Sequence, residues 1–279
     1  MTRLFKIAGL TVENVPPLPQ YSLYMVDGKE SVGKTCLSAS TGEGTKVLIL
    51  DFESKGTSSL SNPEFPSYKD ATQRENISVI HFPKDGAGAI LDCTRLIAAV
   101  EGVFDHLIKT NNSDGFTLVS IDSITELQQR FMSLHPASDR RQAYGAWTDA
   151  IYGLIHKMRA APVDKVLLSR PTVKEDEVTG KDIIRPSVSP AAWTRIAGLI
   201  DAIGYLTKTV SPGGKVTRVL DFSDSARYAS KSRLNLGSFE NPSFKEVLDA
   251  VRQPAPLSTQ EAVPTATKPN RPSFKPNGK

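Results

Sequence analysis

The sequence predicts an α/β fold: a mostly parallel sheet flanked by helices, with antiparallel strands at its C-terminal edge. Three observations carry that expectation. Short apolar runs alternate with segments of helical period up to about residue 170. Gly28-Lys29-Glu30-Ser31-Val32-Gly33-Lys34-Thr35 matches the phosphate-loop pattern G-x-x-x-x-G-K-[ST] at every fixed position, with an apolar run before it and a helical segment after it. Beyond residue 196 the pattern changes to strand-like segments, two of them separated by the hairpin signal Ser211-Pro212-Gly213-Gly214.

The elements follow in order. Residues 1–20 hold an alternating start and a Pro-rich connection, Val15 to Pro19, and read as a short arm. Tyr21 to Val26 reads as a buried strand entering the loop, and Lys34 to Ser40 as the first turns of a helix. Lys46–Asp51, Ile77–Phe82, Phe116–Asp122 and Lys165–Ser169 are further strands. From Gly88 to Lys109 the apolar residues Leu91, Leu96, Ile97, Val100, Phe104, Leu107 and Ile108 fall at helical spacing, and Asn111 to Gly115 is a turn. A helix is expected after Asp122 to about Leu134, then a polar break from His135 to Arg141, then a helix from Ala143 to Ala160. Pro171 to Arg185 reads as a long polar loop. Leu199–Thr207, Lys215–Phe222 and Ala226–Ser230 read as strands, and Asn241-Pro242 as the start of a helix running to about Arg252, with Asn241 as its cap. Residues 254–279, rich in Pro, Thr, Ser, Asn and Lys, bury too little to fold alone and read as a disordered tail. The core is therefore placed at residues 21–253.

A chain of 279 residues can hold one α/β domain with a sizeable core, or two small ones. No apolar run is long enough to span a bilayer and the first residues lack a signal-peptide pattern, so a cytoplasmic protein without a membrane partner is expected. The two cysteines, Cys36 and Cys93, suit neither a disulfide framework nor a zinc site. A formal net charge of +4 permits a polyanionic partner without requiring one.

The loop sequence has a direct chemical reading. Its glycines let successive N–H groups converge on phosphate oxygens, and residues Gly28 to Cys36 would wrap the nucleotide. Lys34 would reach the β- and γ-phosphates, and the Thr35 hydroxyl would ligate Mg²⁺. Cys36 is expected to pack as a small apolar side chain. Asp122, at the end of an apolar strand, stands where a Walker B aspartate holds Mg²⁺; its alternative is a helix cap, a role open equally to Ser123. Asp51-Phe52-Glu53 ends another strand, where open α/β sheets bind ligands, so Glu53 can polarise a water; alone it reads equally well as a solvated loop carboxylate. Lys231 and Arg233 lie on one side of an extended chain, a pattern that by itself usually marks a solvated face.

Phosphate loop, a strand ending Asp51-x-Glu53 and a strand ending Asp122-Ser123, in this order, resemble the RecA-like P-loop ATPase core over roughly residues 20–235. The early phosphate loop, the segment KVLILDFESKG and the closing YASKSRLNLG are most similar to small phage-encoded RecA-like nucleotide-binding proteins tied to single-strand annealing and recombination. The resemblance implies an ATPase using ATP and Mg²⁺, with Glu53 activating the hydrolytic water, in the host cytoplasm if phage-encoded. It identifies Lys165–Ser169 as the sensor strand, although Ser169-Arg170 stands where that family has Gln or His. It makes Leu134–Arg141 and Pro171–Arg185 the two DNA-binding loops, with Arg140, Arg141, Lys174, Lys181 and Arg185 as phosphate contacts. Glu175, Asp176, Glu177 and Asp182 dilute the second loop, and a plain surface hairpin is its alternative. Lys231-x-Arg233 matches the pair that reaches the ATP of a neighbouring subunit, which implies a homo-oligomer with composite sites on single-stranded DNA, and recombination or replication proteins as partners. Other readings of the same motifs are a ring-forming helicase or helicase loader, and a nucleotide-gated interaction protein with little turnover. A small-molecule kinase fits less well, because no lid of clustered arginines is evident.

Overall fold

A computed structural model of the chain describes residues 5–7, 10–12, 20–53, 60, 75–82, 92–136, 139–175, 180 and 182–252. The tail at 254–279, most of the N-terminal arm, residues 88–91 of the expected second helix and Lys181 lie outside them. Phe5–Ile7 (β1) and Leu10–Val12 (β2) pair antiparallel with each other. The main sheet begins with Leu23–Asp27 (β3), which leads through the phosphate loop into the short helix Lys34–Ser38 (α1). Lys46–Asp51 (β4) and Ile77–His81 (β5) follow, then Cys93–Lys109 (α2), Phe116–Asp122 (β6), Ile124–Leu134 (α3), Arg140–Ala160 (α4) and Asp164–Ser169 (β7). Pro171–Glu175 (β8) and Asp182–Pro186 (β9) come next, then Pro190–Ile196 (α5) and a turn of 3₁₀ helix at Ala197–Leu199. Ala202–Val210 (β10), Val216–Asp221 (β11), Lys231–Ser232 (β12), Ser238–Glu240 (β13) and Phe244–Arg252 (α6) complete the described chain.

The strand order in the main sheet is β13-β11-β10-β3-β7-β6-β4-β5, with β12 also on β10. The run from β10 to β5 is parallel, whereas β11, β12 and β13 join by antiparallel pairing. The α/β fold with antiparallel strands at one edge is thus as the sequence predicts. The central strands are apolar at consecutive positions because both faces are covered. Leu23 and Met25 of β3 and Leu48 and Leu50 of β4 enter a core with α2, α3, α4 and α5. Their neighbours Tyr24, Val26, Val47 and Ile49 enter the opposite core, with α1 and α6. Trp147 of α4 and Phe244 of α6 are fully buried, and Phe244 meets Tyr24 edge-on with ring centroids 5.3 Å apart.

Four expectations need correction. Helix α4 starts at Arg140, because the Asp139 carboxylate caps it by accepting from the Arg141 N–H at 2.8 Å. The segment Pro171–Arg185 holds an antiparallel hairpin, β8 on β9, with Glu175 opposite Asp182. Ala226–Ser230 is not a strand; it makes one bridge, Tyr228 to Ile184, and the strands lie later, at β12 and β13. Asn241 is not the cap of α6. Ser243 and Glu246 form a capping box there: the Ser243 N–H donates to the Glu246 carboxylate at 2.8 Å and the Ser243 hydroxyl accepts from the Glu246 N–H at 3.3 Å.

Candidate active site

Parallel register sets a row of polar side chains across the carboxyl ends of the strands. His81 lies beside Asp51, Asp51 beside Asp122, Asp27 beside Ser169 and Tyr205 beside Asp27. The phosphate loop rises from the middle of this row. Its shape requires glycine at two places. A Cβ on Gly28 would sit 2.7 Å from the Leu206 carbonyl oxygen of β10. Gly33 has φ of 105°, a left-handed conformation that a side chain would strain. The Lys34 ammonium lies across the loop, donating to the carbonyls of Gly28 at 2.6 Å and Lys29 at 2.9 Å. Burial pushes its pKa down, against the opposing pull of Asp27, Asp122 and Glu53. Cys36 is buried in the core below the loop.

The Thr35 hydroxyl donates to the Asp122 carboxylate at 2.5 Å. Ser123, not Asp122, caps α3, accepting from the Glu126 N–H at 3.3 Å. Asp122 is thereby left to face the loop. Burial pushes its pKa up to about 6, helped by Glu53 and Asp51 and opposed by the Thr35 bond. A buried carboxylate beside two others and a threonine hydroxyl suits a hard cation that takes its remaining ligands from water and phosphate, as Mg²⁺ does.

Glu53 hangs over the same spot. Its Oε1 accepts from the Ser123 hydroxyl at 2.9 Å and from Arg170 Nη2 at 3.2 Å. The Glu53 N–H donates to Asp51 Oδ1 at 2.9 Å, and Asp51 Oδ2 lies 3.0 Å from Nδ1 of His81. Arg170 is the hub of the carboxylates: besides Glu53 it lies 3.6 Å from Glu30 on the phosphate loop and 3.9 Å from Glu126. Its own N–H donates to the Thr125 hydroxyl at 3.1 Å. One guanidinium therefore touches the loop, the D-x-E strand end and α3.

A family model described as an AAA domain matches residues 22–234, a span that contains every one of these side chains. The chain belongs to this AAA-domain family. No curated protein matches the chain. As an AAA domain it carries a P-loop NTPase core, which agrees with the sheet order and with the loop geometry.

In this AAA domain the Ser169 hydroxyl is turned to Asp27, donating to its Oδ1 at 3.0 Å. Burial pushes the pKa of Asp27 up to about 7, and its Oδ2 has no hydrogen-bond partner among the described residues. Lys231 and Arg233 are not part of the same subunit's loop site. Lys231 pairs with Ile203, itself beside Met25, and its ammonium donates to the Ala197 carbonyl. Burial and the neighbouring Arg233 lower its pKa. The Arg233 N–H bonds Asp201 O, and Asp201 accepts from the Leu23 N–H, at the far end of β3. Four strand residues separate that level from Asp27, roughly 13 Å at about 3.3 Å per residue. Arg233 is exposed there.

The expected DNA contacts are scattered. Arg140 and Arg141 are exposed on the first turn of α4, and Lys174 is exposed on β8. Arg185 is half-buried on β9 opposite Thr172. Sequence reasoning missed Asp27, Glu126 and Arg130. Glu126 is the fourth residue of Ser123-Ile-Thr-Glu, a capping-box signature whose glutamate here turns to Arg130, at 3.7 Å, and to Arg170. Arg130 is buried and donates to the carbonyls of Phe52 and Phe82, tying the ends of β4 and β5 to α3. Its spacing of four from Glu126 on a helix was the available signal.

Proposed function

We propose that this AAA domain is a Mg²⁺-dependent ATPase of RecA-like type that assembles on single-stranded DNA and supports recombination or annealing in the cytoplasm, with ATP bound between subunits. The observation that carries the reading is the contact set Thr35–Asp122 beside Ser123–Glu53. Bound at Thr35 and Asp122, Mg²⁺ would supply charge neutralisation on the triphosphate. The loop N–H groups and Lys34 hold and orient the phosphates. Glu53, held by the Ser123 hydroxyl next to Asp122, takes the proton of the attacking water. Arg170, now paired with Glu53, exchanges that carboxylate for the γ-phosphate and so links the state of the nucleotide to the β8–β9 hairpin that follows it. Lys231 and Arg233, distant from their own loop, serve the neighbour's ATP. Arg140, Arg141 and Lys174 supply phosphate contacts to the DNA.

The test is the ATPase rate with and without single-stranded DNA, alongside electron microscopy. Stimulation by DNA together with filaments is expected. Rings without filaments would move the protein to the helicase or loader type. A second reading, a nucleotide-gated interaction protein with little turnover, draws on the Arg170–Glu53 ion pair, which engages the would-be base. Hydrolysis undetectable even with DNA would select it.

A further inference from the structure

The phosphate loop is held from outside by a part of the chain that no motif marks. Arg218, on β11, donates from Nε to the Val32 carbonyl at 3.0 Å, across 186 residues of sequence. In a trans peptide the carbonyl of one residue and the N–H of the next point in opposite directions. A donor that fixes the Val32 carbonyl on the outer side of the loop therefore fixes the Gly33 N–H on the inner side, where loop N–H groups meet phosphate. Gly33 itself has no side chain to resist rotation, and its φ of 105° is a conformation it can leave.

Arg218 is itself held. Its N–H donates to the Asn241 side-chain oxygen at 2.9 Å, and the Asn241 N–H donates to the Arg218 carbonyl at 2.6 Å. Asn241 has φ of 46°, which lets it turn both groups toward β11. Three residues later α6 begins, and it grips the other end of α1. The Phe244 N–H donates to the Ser40 hydroxyl at 2.9 Å and the Lys245 N–H to the Ser40 carbonyl at 2.9 Å. The loop and its helix are thus clasped at both ends by residues 218–245. Asn241, Phe244 and Lys245 lie beyond the family-matched residues 22–234.

We propose that Arg218 is a positioning residue for phosphate binding: it orients the Val32–Gly33 peptide, with Asn241 holding Arg218 in place. This rests on the reading that Gly28–Thr35 holds phosphate. It acts on the phosphate and not on the base or ribose, so it treats ATP, ADP and inorganic pyrophosphate alike.

The experiment measures Kd for ATP, ADP and pyrophosphate by calorimetry with the full chain, with thermal melting of each variant as a control on folding. Arg218→Ala should weaken all three by about tenfold, the worth of one hydrogen bond with a charged donor. Arg218→Lys should recover part of the loss. Asn241→Gly keeps the backbone conformation and the net charge and removes only the amide, and should weaken all three by a smaller factor. In turnover, KM should rise more than kcat falls. Unchanged Kd values in folded Arg218→Ala overturn the assignment. A loss for ATP and ADP but not for pyrophosphate overturns it too, by showing that Arg218 touches the nucleoside. If Arg218→Ala does not fold, Asn241→Gly decides, and unchanged affinity there is the negative result. Wild-type protein that binds neither ATP nor pyrophosphate sinks the phosphate reading itself, a result distinct from any of these.

Discussion

Charges at the carboxyl ends of the strands and charges at the rim of the molecule are arranged differently. At the strand ends Thr35 bonds Asp122 at 2.5 Å, and the adjacent Ser123 bonds Glu53 at 2.9 Å, which in turn pairs with Arg170 at 3.2 Å. At the rim Arg140 and Arg141 on α4, Lys174 on β8 and Arg233 after β12 are exposed. The first region forms a connected site within one chain. Under the proposed function the second supplies cations to DNA or to a second subunit. Among them Arg233 breaks the comparison most sharply if it acts on the first region from outside. Charge stabilisation by an arginine supplied in trans is worth about 10³ or more in kcat. Arg233→Ala should therefore lose at least that much ATPase activity while keeping nucleotide affinity. Mixed with Lys34→Ala subunits, it should regain part of the rate, because one mutant supplies the loop and the other the arginine. If mixed assemblies form and stay inactive, the rim and the strand-end site are independent.

Within the strand-end site, Glu53→Gln is the next largest effect. The amide can still accept from Ser123 but takes no proton and loses the ion pair to Arg170. A drop in kcat of about 10²–10⁴ with ATP affinity retained is expected, read from steady-state turnover and a binding titration. A rate within twofold of wild type would remove Glu53 from the chemistry.

The same contrast explains what could be read in advance. The phosphate loop and Asp122 stand out because each sits at the end of an apolar run, whereas Glu53 is singled out from a solvated loop carboxylate only by the RecA-like resemblance. The row that joins them depends on register between strands far apart in sequence, and so do the partners of Arg170. Nothing local says that the helix of Glu126 and Arg130 lies under the strand ends, or that Asp27 is buried. Only the sheet shows that Ser169 lies beside it. Arg218 was invisible for the same reason, its partner being 186 residues away. Charged residues hide the alternation of the β8–β9 hairpin, and Ala226–Ser230, though strand-like in sequence, makes one bridge, to Ile184.

Burial also gives the strand-end region a pH signature. Asp27 and Asp122 carry pKa values raised from 3.8 to about 7 and about 6. The folded chain therefore binds protons that the unfolded chain has already released. The stability they contribute is full below about pH 4 and is lost as pH rises through about 6 to 7. Asp27→Asn mimics the protonated form. It should match wild type in acid and exceed it by on the order of a few kcal/mol at about pH 8, as measured by denaturant melts across that range. A constant difference at all pH values would show that Asp27 does not titrate in this window.

The smallest effects belong to the rim. Each phosphate neutralised on single-stranded DNA adds about 0.7 to the slope of log affinity against log salt. Arg140→Ala and Arg141→Ala should each lower that slope by about this amount, since both side chains are exposed at the free end of α4. Lys174→Ala should do so less. Glu175 and Asp182, paired at the next position of the hairpin on its other face, lie within a Debye length of Lys174 and lower the positive potential there. Arg185→Ala should leave the slope unchanged, because the side chain is half-buried on β9, with Nε shielded from solvent. A slope that falls for Arg185 and not for Arg140 or Arg141 would put the DNA on the hairpin instead of at the start of α4.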